Sequence, residues 1–166
     1  MTDMTHTRRH TLVLVSAALL APFASRSALA GDIPMGSVRD KVVAMVDKAA
    51  AAVSEHGFAR ALNRSEGEMW RRPDLGLYVF VLDPNGNLLL HPDRRAEGHN
   101  VIASHDTRGT RFIRNMIDAA TAANGAGVWT RYQWTDARSG ERGTKHTYSK
   151  VAGGVIVSVG YVAATS

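Results

Sequence analysis

The sequence has no cysteine. That absence excludes disulfides, thiolate zinc sites, cysteine nucleophiles and covalent c-type haem attachment. It also has no long apolar run. The longest, "TLVLVSAALLA" from Thr11 to Ala21, falls well short of the roughly 20 residues a membrane-spanning helix needs. No Gly-x-Ser-x-Gly, phosphate-binding loop or paired-carboxylate signature appears, and no internal repeat or low-complexity tract. What remains is an ordinary globular composition, 45% hydrophobic and 21% charged, over 166 residues. That length suits one domain.

The first thirty residues read as an export signal. Arg8 and Arg9 form a basic start, the apolar run follows, Pro22 breaks it, and Ala28-Leu29-Ala30 makes an A-x-A cleavage site. "TRRHTL" carries the paired arginines of a twin-Arg signal, with Thr11 where Phe is usual. An uncleaved amphipathic anchor is the other reading. The whole chain has a formal charge of +5, but residues 1–30 hold three Arg and one Asp. Cleavage after Ala30 leaves 17 basic and 14 acidic residues, a net of +3. An excess that small gives little support to a nucleic-acid partner. The expectation is a periplasmic or secreted protein: a signal peptide over 1–30, a single soluble domain over 31–166, and no membrane span or transmembrane output in the mature chain.

Residues 36–63 read as one long helix, with Val38, Val42, Met45, Val46, Ala49 and Val53 on one stripe and Ser37 as N-cap. His56-Gly57 would end or bend it. "LGLYVFVLD" is apolar on both alternating sets, so both faces of that strand should be covered. The turn "DPNG" favours a type I turn with Pro84 second and Gly86 left-handed, because Pro84 has no N–H for a two-residue hairpin. That register pairs Asp83 with Asn87 and Val79 with His91. The two-residue register would set Phe80 opposite His91. Asp106 or Thr107 can cap a second helix whose stripe is Phe112, Ile113, Met116, Ile117 and Ala120. "VWTRYQWT", "TKHTYSKVA" and "VIVSVGYVA" read as three further strands. The class is α+β, a long N-terminal helix packed on a five-stranded antiparallel sheet, with a short helix and loops over the other face. A sheet face roofed by loops over aromatics is a natural small-molecule cavity.

"YVFVLDPNGNLLLHP", "GHNV", "HDTRGTRFI", "GVWTRYQWTDARSG" and "KHTYSKV" follow one another in order. Together they resemble the single Cache domain of bacterial extracytoplasmic sensors, over roughly residues 36–163. The matching elements are Asp83, Gly86, His91-Pro92, Gly98 with Asn100, Asp106 with Gly109, Tyr132 with Trp134, and Lys145 with Tyr148. Asp136-Ala137 stands where the family often has Asn-Pro. The resemblance implies a PAS-like fold that binds small metabolites, often organic acids or amino-acid-like molecules. It implies Tyr78, His91, Tyr132, Trp134, Lys145 and Tyr148 as the ligand-binding set, and a separate membrane or periplasmic signalling partner.

Each of these residues also has a plainer reading. Tyr132 and Trp134 could be core, Lys145 a solvated strand end, and His91 a partner for the crossover backbone. Lys145 and Tyr148 fall on opposite faces of a regular strand. Trp129 should pack on the helix side. His91, His99 and His105 have no compact ligand spacing, so no metal or other cofactor is expected. Ser104, His105 and Asp106 are adjacent in sequence, which does not align them as a triad. A non-enzymatic binding domain is therefore the first expectation. A periplasmic protein-interaction module and a small enzyme using His91 and Lys145 are the alternatives.

Overall fold

The computed structural model of the chain describes residues 37–62, 70–135, 140 and 142–163. The leader expected over residues 1–30 and the Asp136-Ala137 position lie outside the described residues.

Helix α1 spans Val38–His56 and starts as its sequence directs. Ser37 accepts the Asp40 N–H, and its hydroxyl lies 2.9 Å from Asp40 Oδ2. Val42, Val46, Ala49, Ala50 and Val53 form its buried stripe, while Val38 in the first turn is exposed. The helix expected over 36–63 is interrupted. Gly57, at φ 74°, ends α1, and a short α2 follows at Phe58–Ala61.

Among the described residues the sheet is antiparallel and has six strands, in the order β1-β2-β6-β5-β4, with β3 beside β2. They are β1 Arg71–Arg72, β2 Leu77–Leu82, β3 Leu88–Leu90, β4 Val128–Thr135, β5 Arg142–Ala152 and β6 Val155–Ala163. The expectation was five. The extra strand is β1, two exposed arginines paired with Leu77 and Tyr78. Two charged residues carry no alternation for a sequence reading to detect. Pro73 follows directly, and the turn Pro73–Leu75 delays the start of β2 to Leu77.

The two faces of β2 divide as its double alternation requires. Leu77, Val79 and Val81 join α1 in one buried cluster, and Trp129 packs against that side. Phe80 and Leu82 join a second cluster under helix α3, Phe112–Ala122, whose Ile113, Met116, Ile117 and Ala120 face the sheet.

The turn after β2 forms as expected. Asp83 N donates to Asn87 O at 3.0 Å and Gly86 N to Asp83 O at 3.0 Å, with Gly86 at φ 86°. Space also demands glycine there, because a Cβ would lie 2.6 Å from Ile102 Cβ. The register beyond the turn differs from expectation. Leu82 faces Leu88, but Val81 faces Leu90, so a bulge at Leu89 inserts one residue. The expected Val79–His91 pair does not form, and the ladder ends at Leu90. The outer edge of β3 is taken by the crossover. Leu88 N donates to His99 O at 3.0 Å and Gly98 N to Leu88 O at 2.8 Å. Asn100 completes the join through Nδ2, to Asn85 O at 2.9 Å and Asn87 Oδ1 at 3.0 Å.

Candidate functional site

β4 and β5 pair without a bulge, Tyr132 opposite Lys145 and Trp129 opposite Tyr148. Regular pleating then fixes the faces. Lys145, Thr147 and Ser149 point toward α3, and Tyr148 points toward α1. Those three polar residues are buried in file along one strand, and Ser149 pairs with the buried Ser158 of β6 at 2.9 Å. Gly160 lies opposite Thr147 on β6, and a Cβ there would sit 2.8 Å from Lys145 Cε and 2.6 Å from Thr147 Oγ1. Glycine at 160 is what gives the Lys145 stem its room.

Lys145 is the unusual member. It is 5% exposed, and among the described residues no carboxylate forms an ion pair with it. A buried ammonium without a counter-charge is costly. Its partners are neutral: Tyr78 Oη at 3.3 Å, the Trp134 ring centre at 4.3 Å and the Tyr78 ring centre at 5.3 Å. Cation–π contact partly replaces hydration.

The aromatic walls are mutually braced. Phe112, the first residue of α3, stacks on Tyr132 at 4.3 Å and meets Trp134 edge-on at 6.3 Å. The Tyr132 hydroxyl pairs with Thr147 Oγ1 at 3.3 Å. Burial pushes the Tyr132 phenol above its ordinary value, and Lys145 opposes that shift. Tyr78 meets the His91 ring edge-on at 5.4 Å. Burial and the Lys145 charge hold the His91 imidazole below its usual range, despite opposing contributions from Asp93 and Glu97.

The structure thus brings Tyr78, His91, Tyr132, Trp134 and Lys145 together. Tyr148 stands apart. It packs against Trp129 at 5.1 Å on the helix side, and its hydroxyl occupies the place a side chain at Gly127 would need. Phe112, Thr147 and Gly160 join this cluster without having been expected in it. The alternate polar positions in "KHTYS" were the signal for Thr147. Nothing local marked Gly160.

Asp106 was expected to cap α3. It does not, since Arg111 holds that position without a side-chain bond. Asp106 Oδ1 instead accepts Arg108 N at 2.9 Å and Thr110 N at 2.8 Å, and Oδ2 accepts Gln133 N from β4 at 3.0 Å. The Gln133 bond leads the effects that hold its carboxyl below the usual range. The loop is thereby stitched to the outer edge of β4. Beside that stitch an open cleft of about 640 Å³ is lined by Asn100, Ser104, His105, Phe112, Gln133 and Trp134, among others. Phe112 and Trp134 are common to the cleft and the aromatic cluster. Lys145 is not part of the cleft lining.

No curated protein matches the chain. Solved structures do. One is a methyl-accepting chemotaxis protein from Vibrio parahaemolyticus, at TM-score 0.59 and 18% identity, covering 75% of this chain and 87% of that one. A periplasmic sensor domain of a chemotaxis protein matches at 0.56 and 18%, covering 75% and 90%. A Cache chemosensory domain, described for its recognition of carboxylic acids, matches at 0.61 and 17%, covering 75% and 92%. These likenesses show the fold. The family model for single Cache domain 2 matches residues 40–161. Cache domains are extracytoplasmic sensor domains that bind small molecules, and among the described residues no helix is long and apolar enough to cross a membrane. With most of its length matched, this chain belongs to the single Cache domain family.

Proposed function

We propose that the chain is an exported sensor domain that binds a small organic acid, or an amino-acid-like molecule through its carboxylate, on Lys145. The supporting observation is the buried ammonium whose partners among the described residues are neutral. A carboxylate arriving there gains a charge-assisted hydrogen bond to an ammonium already largely shielded from solvent. Tyr78 Oη and Thr147 Oγ1 flank it as further donors, and Trp134 connects it to the open cleft. A structural neighbour known for carboxylic acid recognition adds to the reading. The proposal gives the domain no catalytic role; a separate signalling partner reads the bound state.

Isothermal titration with short carboxylates and amino acids tests this. Lys145→Met should weaken binding at least tenfold, because a hydrogen bond to a charged group contributes about 1.5–3 kcal/mol. Tyr148→Phe should leave affinity unchanged. Equal affinity in the wild type and K145M would sink the assignment. Binding to no compound in the panel would leave the protein-interaction reading.

A further inference from the structure

His91 stands at the edge of the Lys145 cluster, and its place is fixed by the loop rather than by the sheet. The ladder ends at Leu90, and Pro92 stands two residues beyond it. The His91 N–H donates to Glu97 Oε1 at 2.8 Å, and Nδ1 accepts the Asp93 N–H at 3.1 Å. Accepting at Nδ1 requires an imidazole unprotonated at that atom. The Asp93 carbonyl lies 3.4 Å from the same nitrogen. A protonated ring can therefore exchange the Asp93 N–H for the Asp93 carbonyl while staying in place.

The ring meets Tyr78 edge-on at 5.4 Å, and the Tyr78 hydroxyl is 3.3 Å from Lys145 Nζ. One tyrosine thus links a titratable ring to the buried ammonium. The groups that face His91 are Tyr78 from β2, Lys145 from β5, and Asp93 and Glu97 from its own loop. Asp93 is already engaged by Arg95 at 3.0 Å. Of these groups, Lys145 is the one that opposes a proton on His91.

We infer that His91 is a charge-coupled positioning residue of the Lys145 site, so that a carboxylate on Lys145 and a proton on His91 stabilise each other. The inference rests on the carboxylate reading above. A bound carboxylate cancels the charge that disfavours imidazolium. By linkage, a proton on His91 must then raise carboxylate affinity by the same factor. Affinity should climb as pH falls through the His91 transition, by no more than tenfold per pH unit for a single proton.

The probe is pyruvate, which stays ionised throughout the range. Titrations at pH 7.5 and 5.5 should show the wild type binding about fivefold more tightly at the lower pH. H91Q should show little pH dependence. NMR of the wild type adds a readout that needs no folded variant: the His91 ring resonances should titrate at higher pH when pyruvate is saturating. Binding with the same pH slope in wild type and H91Q, or a His91 transition that pyruvate leaves unmoved, overturns the inference and leaves the carboxylate site standing. No pyruvate binding at either pH, with none of the other carboxylates binding, overturns both.

Discussion

At Gly160 the missing side chain decides the site. A Cβ there would lie 2.6 Å from Thr147 Oγ1, 2.8 Å from Lys145 Cε and 3.3 Å from the His146 carbonyl. The first two are side-chain atoms that can give way; the third is backbone. Gly160→Ala should therefore displace Lys145 and Thr147 more than it damages the fold. Overpacking of this kind costs about 1–3 kcal/mol in stability. Carboxylate affinity should fall about tenfold or more, while the urea midpoint moves only by that amount. Unchanged affinity with the full stability loss would mean the Lys145 stem is not placed by Gly160. The same strand shows how far one residue type carries a sequence reading. Lys145 and Tyr148 are three apart, so parity alone separates them, and the structure has no bulge to reunite them. Thr147 was legible by the same parity. Gly160 was not, because its importance depends on a neighbouring strand.

Among elements, the crossover between β3 and α3 was the least legible, because its contacts are long-range. Asp106 sits six residues before the helix begins, and it bonds across 27 residues of sequence to Gln133. Local capping rules favour the nearest helix and cannot see β4. The bulge at Leu89 has a similar origin, since the outer edge of β3 is set by Gly98 and His99. The long helix and the main strands were readable because their burial follows period 3.6 or period 2. The stitch can be tested. Asp106→Asn replaces one acceptor oxygen with a donor that faces backbone N–H groups, which should lower stability near neutral pH. The Asp106 carboxyl is held below its unfolded value, so its stabilisation is complete above that value and is lost as pH falls through the folded-state value. The urea midpoints of D106N and wild type should differ clearly at pH 7, and the gap should narrow as pH falls below the ordinary Asp value. A gap of the same size throughout would show that the charge contributes nothing.

Across the whole described domain, one sheet serves two buried clusters. Val157 and Val159 of β6 lie under α1, while Ile156 of the same strand lies under α3. A ligand bound at the proposed site on the α3 face would therefore stabilise strands that the α1 face also needs, and unfolding should remain one transition. At a hundredfold excess over its dissociation constant, a ligand adds about 2.7 kcal/mol. For a domain of this size that raises Tm by on the order of 10 °C. Salt separates this from attraction to the surface arginines, such as Arg108 and Arg131, which line a second cleft of about 380 Å³. Added NaCl screens exposed charges at a Debye length of about 3 Å at 1 M, and buried ones much less. The ligand-induced rise in Tm should thus largely survive 0.5 M NaCl in the wild type and fall to about half or less in K145M at the same ligand concentration, at any salt. A rise that vanishes with salt, yet persists in full in K145M, would place the ligand at the surface arginines instead of the sheet.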